Sequence, residues 1–383
     1  MGFKKVVLLA HLWLGLSSGL IVVFLGITGC ILAFEQEIRG VTEPYARTEA
    51  RDKPYLPPTV LKLAAEKHLE GKRVNGVEYP GKGKSAVASY YDEDNYKLVY
   101  LNPYTAETLK VKNMNRDFFR VVLNGHFYLW LPAEIGQPIV ASATLIFLVM
   151  LITGLILWWP KNKAARKQRF SVKWNAKWRR VNYDLHNVLG FYMTWVAIFI
   201  AVTGLVWGFQ WFARSLYWVS SGGKTMVEHV HPVSDTTKAA GMNVADLVWS
   251  EHKSDIKDGE SLGIYFPVTN TDPVEVSHNH RPGTYYKSDY YHYDQYTARE
   301  LPATGSYAGK FSDAAVADKI VRMNYDIHVG AVLGLPGKIM AFCASLIAAS
   351  LPVTGFYIWW GRRRKNRVGA VTKEVVRPAV AAV

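Results

Sequence analysis

The chain has 383 residues, 20% of them charged and 13% aromatic, and a formal net charge of +14. A surplus of that size would suit a nucleic-acid binder if it were spread over a folded face, so its location decides its meaning. It is confined to three short segments: Lys4 and Lys5; Lys161, Lys163, Arg166, Lys167, Arg169, Lys173, Lys177, Arg179 and Arg180; and Arg362, Arg363, Arg364, Lys365, Arg367, Lys373 and Arg377, opposed by Glu374 alone. These hold 18 basic residues against one acidic, which leaves the rest of the chain at a net −3 and removes nucleic acid as a partner.

Each basic segment abuts a long apolar stretch. Val6 to Phe34, Ile139 to Trp159, Leu185 to Trp211 and Ile339 to Trp360 are each about 20 residues or more, enough to cross a bilayer. Lipid offers backbone groups no partners, so all four are expected to be helices. Excess Lys and Arg marks the cytoplasmic face, which puts both termini and the basic loop inside and two connections of about 100 residues outside. The first span begins like a secretory signal, but its apolar run is too long and leads into Phe34-Glu35-Gln36-Glu37 without a small-residue cleavage site. It is expected to stay as an anchor. Cys30 and Cys343 both fall in apolar spans, so no disulfide framework is expected in the outer regions, and both thiols read as small residues facing other helices.

In chain order the expected organisation is a membrane helix over 1–35, an α+β domain over 36–113, a histidine-bearing helix and turn over 114–137, a membrane helix over 138–160, a basic loop over 161–182, a membrane helix over 183–213, a second α+β domain over 214–317, a second histidine helix over 318–335, a last membrane helix over 336–361, and a basic tail over 362–383. The order repeats itself, so the chain is an internal duplication. In the first outer domain Pro57-Pro58 introduces a helix over Thr59 to Leu69, followed by strands near Val74 to Tyr79, Ala86 to Tyr91 and Lys97 to Leu101. The second has a helix over Val244 to His252 and strands near Gly263 to Val268 and Val274 to Ser277. Tyr104-Thr105-Ala106 finds its counterpart in Tyr296-Thr297-Ala298, and Leu109 in Leu301.

The histidines repeat as well. His11 precedes Gly15 and Thr28-Gly29 at the offsets by which His186 precedes Gly190 and Thr203-Gly204. His126 precedes Thr153-Gly154 and Trp158-Trp159, and His328 precedes Thr354-Gly355 and Trp359-Trp360 at offsets one residue shorter. Intramembrane histidine is expensive, so a matched set is by default functional, and metal ligation is its natural use.

The helix, the short strands and the closing Asn-Pro-Tyr-Thr-Ala-Glu turn resemble a PepSY module. Set between spans that carry His-x-x-x-Gly and end in Thr-Gly and Trp-Trp, they resemble the PepSY-associated transmembrane family over nearly the whole chain. Within it the chain is most similar to the FoxB-like inner-membrane ferrisiderophore reductases that accompany ferrioxamine uptake. The fold class expected is an α+β integral membrane protein, a four-helix transmembrane bundle with two periplasmic PepSY-like domains.

His11 and His186 each follow a basic residue by six positions and belong near the cytoplasmic face. The seventeen residues from His11 to Thr28 rise about 26 Å, nearly the hydrocarbon thickness, which puts Thr28-Gly29 at the outer end. His126 and His328, in short helices over Asp117 to Leu131 and Asp318 to Val332, belong together at the periplasmic face. Two imidazoles from separate helices with a flat ring between them describe a six-coordinate b-type haem, so two b-type haems are expected, with His11 and His186 on one iron and His126 and His328 on the other. Gly15 and Gly190 lie one turn along from their histidines, where a missing side chain leaves room for a macrocycle; close helix packing is the alternative use of such glycines. Arg116, Arg120, Lys319, Arg322, Arg179 and Arg180 are candidate propionate partners or ordinary interfacial charges. Asp184 and Asp326 are second-shell partners or helix caps. Without Cys-x-x-Cys-His, covalent haem attachment is excluded.

A bis-histidine haem moves single electrons, so the residues predict an electron path across the membrane. No phosphate-cradling glycine motif follows a strand, so electrons are expected from a quinol or a separate reductase. The family resemblance implies a ferric siderophore as acceptor. The segment with His278, His280, Arg281, Tyr285 and Tyr286, continuing to Tyr290, Tyr291 and Tyr293, is the candidate substrate surface, with strand packing as the alternative. His68, His229, His231, His252 and His292 read as surface residues, and the paired tryptophans as an interfacial belt. A siderophore or iron permease would need broken helices or ionisable mid-span residues, and a PepSY anchor regulating a protease would need no matched histidines.

Overall fold

The computed structural model describes residues 2–375 apart from 52, 161, 164–165, 167–168, 239–242 and 254–256, with the backbone alone described for 364–375. Of the basic segments, Lys161, Lys167 and Arg377 and the side chains of Arg364, Lys365, Arg367 and Lys373 therefore lie outside the described residues. In chain order the helices are α1 (Phe3–Ala33), α2 (Glu35–Thr42), α3 (Pro58–Glu66), α4 (Phe118–Tyr128), α5 (Ala133–Trp158), α6 (Trp178–Gly208), α7 (Gln210–Ser220), α8 (Val244–His252), α9 (Val316–His328) and α10 (Leu335–Val375). The strands are β1 (Gly76–Tyr79), β2 (Ala86–Tyr91), β3 (Tyr96–Leu101), β4 (Thr108–Asn113), β5 (Ser261–Tyr265), β6 (Val274–Asn279), β7 (Ser288–Tyr293) and β8 (Glu300–Leu301).

One unit comprises Met1–Ala33, Gly125–Gly208 and Ile339–Val383. Its helices α1, α5, α6 and the Leu335–Arg363 part of α10 are long and apolar enough to cross a membrane. α5 and α6 begin six and seven residues before the apolar stretches do, because backbone hydrogen bonding continues past the residues that seek lipid. Leu151, Met193, Ala197 and Ala348 form the shared core. Glycine sets the closest approaches: a Cβ at Gly26 would stand 2.7 Å from the Ser345 carbonyl oxygen, and one at Gly208 would stand 2.6 Å from Ala141 Cβ. Only 17% to 39% of the span residues are buried within the protein, so side chains such as Trp13, Leu20, Phe199 and Leu346 form an apolar exterior that lipid rather than water must cover.

The other unit comprises Phe34–Asn124 and Phe209–Lys338. The strands of the two repeats do not stay apart. They form one antiparallel sheet in the order β4-β3-β2-β1-β5-β6-β7-β8, joined where β1 pairs with β5 and Val77 faces Ile264. Separate halves would each expose a free edge of unpaired N–H and C=O groups, and the junction removes both. Leu61 and Ala65 of α3 and Val248 and Trp249 of α8 bury themselves with Val77, Tyr79, Leu262 and Ile264 in one core. Asp246 of α8 ties the helices together by accepting from the Thr59 amide at 3.0 Å and from the Thr59 hydroxyl at the start of α3.

The duplication extends to backbone dihedrals. Asn102 Oδ1 accepts from the Tyr104 amide at 3.0 Å and Asp294 Oδ1 from the Tyr296 amide at 2.9 Å, so each repeat closes with the same side-chain-capped turn. At its end Ala106 and Ala298 stand in the left-handed region at φ 58° and 57°. A methyl group there is strained by about 1–2 kcal/mol, part of which glycine returns through its looser unfolded chain. Ala298→Gly should therefore stabilise the fold by about 0.5–1 kcal/mol, read as a raised thermal midpoint; an unchanged or lowered midpoint would contradict the assignment.

Candidate functional site

His11 of α1 and His186 of α6 line the same cavity in the helix unit, about 360 Å³ in volume and walled mainly by aliphatic and aromatic groups. That size falls within the range of small-molecule and cofactor sites. Gly15 and Gly190, one turn beyond each histidine, also line it. They differ from the packing glycines. A Cβ at Gly15 would meet only the flexible end of Met150, and one at Gly190 would make ordinary contact with Leu351 at 3.8 Å, whereas Gly26 abuts the backbone of the neighbouring helix.

Each histidine in this unit docks on a Thr-Gly pair of another helix. His11 Nδ1 lies 2.8 Å from Thr153 Oγ1, His186 Nδ1 2.8 Å from Thr354 Oγ1, and His126 Nδ1 2.7 Å from Thr28 Oγ1. The threonine hydroxyls are already committed as donors to carbonyls one turn back: Thr153 to Val149 at 2.9 Å, Thr354 to Ser350 at 3.1 Å and Thr28 to Phe24 at 2.9 Å. Threonine must therefore accept, and each histidine must donate from Nδ1–H. That fixes the tautomer and leaves Nε2 as the nitrogen with a lone pair to offer a metal. The glycine completes the seat: a Cβ at Gly154 would stand 3.5 Å from His11 Cε1, one at Gly29 3.7 Å from His126 Cε1, and one at Gly355 3.3 Å from His186 Cε1. Three of the four Thr-Gly landmarks that recur in the sequence, at Thr28, Thr153 and Thr354, are thus the seats of histidines, a role that spacing alone does not disclose.

His328 ends α9 and belongs to the sheet unit. Two residues before it, Asp326 is fully buried and accepts from the Tyr285 and Tyr286 amides at 2.9 and 2.8 Å, so it anchors that loop. Burial pushes its carboxyl above the usual carboxylate range, and the two amides only partly offset this. Asp184, two residues before His186, accepts from Arg180 Nε at 2.9 Å and is likewise occupied.

Several candidate contacts are redirected. Arg322 is not available to a propionate: its guanidinium is buried and donates to the carbonyls of Ser306, Ala308, Ser288 and Gly309 at 2.6 to 3.3 Å. Lys319 donates to the Ser312 carbonyl at 2.8 Å, and Arg180 pairs with Asp184. Arg169 and Arg362, which the sequence offers only as topology markers, line the cavity with His11 and His186. The His278 to Tyr286 segment is not an open aromatic surface either. His278 and Tyr286 are buried, His278 Nε2 bonds Glu260 Oε2 at 2.9 Å, His280 lies between Glu260 and Asp289, and Arg281 donates to Tyr286 Oη at 2.7 Å. His278 falls on the inward phase of the period-two burial along β6, Tyr286 is buried in the turn between β6 and β7, and of the five residues Tyr285 and His280 are exposed. Burial opposes ionisation of Glu260, but the Lys257 amide and both rings outweigh it and hold the carboxyl below its usual range. His292 is also no surface residue, being 4% exposed.

Four membrane-length helices and a mixed helix and strand composition define a multi-pass α+β membrane protein with an antiparallel sheet unit. The chain belongs to the PepSY-associated TM region family, which matches residues 8–362. No curated protein matches the sequence.

Proposed function

We propose that this membrane protein is a haem-dependent oxidoreductase that carries electrons outward across the bacterial inner membrane to a ferric siderophore of the ferrioxamine type. The observation that carries this reading is the pair of threonine-seated histidines, His11 and His186, on one apolar cavity flanked by Gly15 and Gly190. A zinc or copper centre would ask for further nitrogen, thiolate or carboxylate ligands; two imidazoles and a broad apolar space suit a porphyrin iron. A bis-histidine b-type haem supplies one-electron transfer and offers no open position to oxygen or substrate.

The residues of the chain divide the remaining work. His11 and His186 would hold the iron through Nε2, and Thr153 and Thr354 hold their tautomers. Gly15 and Gly190 leave the space, and Arg169 and Arg362 would pair with anionic substituents. The duplication extends the proposal to a second b-type haem, for which His126, seated on Thr28 in the same manner, would supply one ligand. Their positive charge favours the cytoplasm for both termini and the basic loop, and the electron donor would be a quinol or a separate reductase. Each Fe(III) takes up one electron and leaves the chelate as Fe(II), which binds hard oxygen donors more weakly.

The test is spectroscopic. Detergent-purified protein made with ample porphyrin should show a Soret band and sharp reduced α and β bands. Reduced anaerobically, it should be reoxidised by a ferric hydroxamate chelate but not by the iron-free ligand. A colourless protein, or equal reoxidation by both, would overturn the proposal.

A further inference from the structure

A second set of histidines lies in the sheet unit. Residues 228–235 cross the sheet as a strap without helix or strand and are stitched to it along their length. His229 Nδ1 donates to the Thr304 carbonyl at 2.9 Å, the Val230 amide donates to Thr304 Oγ1 at 3.2 Å, and the Ser234 amide donates to the Thr271 carbonyl at 2.9 Å. Gly305 permits the approach, since a Cβ there would stand 2.9 Å from His229 Cα. The strap is thereby held with His229 and His231 over β7.

On the sheet below, His292 of β7 and Glu275 of β6 are direct register partners, so their side chains emerge on the same face. One ligand nitrogen from each of His229, His231 and His292 lies within 4.8 Å of the others. Glu275 Oε1 closes one side, 3.3 Å from His231 Nδ1 and 4.0 Å from His292 Nε2. Two details favour a ligand over a chance cluster. His292 is 4% exposed, yet its Nδ1 has no hydrogen-bond partner among the described residues, a costly arrangement for a buried polar atom. His229 donates its Nδ1–H to a backbone carbonyl, the arrangement that fixes a metal-ligating imidazole and leaves Nε2 free to coordinate.

We propose that His229, His231 and His292, with the Glu275 carboxylate beside them, form a binding site for one divalent late first-row cation, best matched by Zn²⁺. Three imidazoles and one carboxylate are borderline donors in a compact set, which suits Zn²⁺ or Cu²⁺ and disfavours the hard cations Mg²⁺ and Ca²⁺. Residues 229 and 231 come from the strap and residue 292 from the sheet, so the ion cross-links two segments about 60 residues apart in sequence and stiffens the sheet unit. The site stands whether or not the bundle carries haem.

The experiment uses the full chain in detergent, purified without a polyhistidine tag, stripped with chelator, loaded with ZnCl₂, desalted and measured by elemental analysis. Wild type should retain one more Zn²⁺ per chain than His229→Ala or His231→Ala, and His68→Ala should bind as wild type does. Glu275→Gln should weaken Zn²⁺ about tenfold. Because His292 is buried, its variant is judged only alongside the two exposed strap variants, whose folding is checked by gel filtration and circular dichroism. Copper loading adds a second readout, since Cu²⁺ should show nitrogen hyperfine structure in its paramagnetic resonance spectrum that His231→Ala loses. Equal Zn²⁺ in wild type and His231→Ala, or loss of Zn²⁺ in His68→Ala alone, would overturn the site.

Discussion

Purified His186→Ala protein is expected to carry about half the haem of wild type, and His11→Ala the same half. Both histidines line one cavity, so removing either should empty the same site, and the double variant should lose no more than each single variant. A ligand lost from a six-coordinate iron also leaves an open position, so any residual haem should shift to a five-coordinate spectrum and bind carbon monoxide, which wild type should not. His126→Ala should remove the other haem, and combining His11→Ala with His126→Ala should leave the protein colourless. Thr354→Val is the finer probe. It removes the acceptor of His186 Nδ1–H while preserving shape, and outer-shell changes of this kind weaken metal binding about 10- to 100-fold. If His11→Ala and His186→Ala were additive, each removing a different haem, the pairing would be wrong even though the ligands were right.

The helix unit was legible because its two signals are strong and independent. Apolar length predicts the spans, and matched offsets predict that His11 and His186 act together. The threonine seats were visible only as landmarks. Offsets along one helix do not say which neighbouring helix each Thr-Gly faces, and His11 docks on Thr153, 142 residues away. The sheet unit was half legible. The repeated Tyr-Thr-Ala turn identifies the duplication, but the β1–β5 pairing leaves no mark in either strand, because an edge strand and an interior strand can share one alternation. His292 illustrates the converse error. A histidine among tyrosines reads as surface until the strap over β7 is seen to cover it, and residues 228–235 carry no periodicity to announce that they cross a sheet. Arg322 misleads in the same way: charge predicts exposure or an anion, whereas four carbonyl oxygens satisfy it in the interior.

Replacing Asp117 by alanine should destabilise the sheet unit by about 3–5 kcal/mol, the usual consequence of removing one member of a mostly buried ionic network. Asp117 stands immediately before α4, the helix that ends beyond His126, and its side chain is 7% exposed. It accepts from Arg39 Nη1 at 3.0 Å, from Lys112 Nζ at 2.7 Å and from the Arg120 amide at 3.1 Å, so it caps α4 while neutralising two cations. Glu43, 2.7 Å from Arg39 and 2.5 Å from Lys112, would be left as the carboxylate shared by both cations, with Glu35 pairing Arg39 alone at 2.7 Å. The network also sets an acid limit. Burial raises the Asp117 carboxyl, but the hydrogen bonds from Arg39 and Lys112 overcome this and hold it well below the usual carboxylate range. A depressed folded-state value means that the native state keeps its carboxylate where the unfolded chain has taken up a proton. The stabilisation is therefore complete above the unfolded value of about 3.9 and is lost as pH falls below it toward the folded value. Thermal midpoints measured from pH 7 down to pH 3 should fall more steeply for wild type than for Asp117→Ala at the acid end, and the gap between them should narrow there. A gap independent of pH would mean that Asp117 acts by packing and capping rather than by charge.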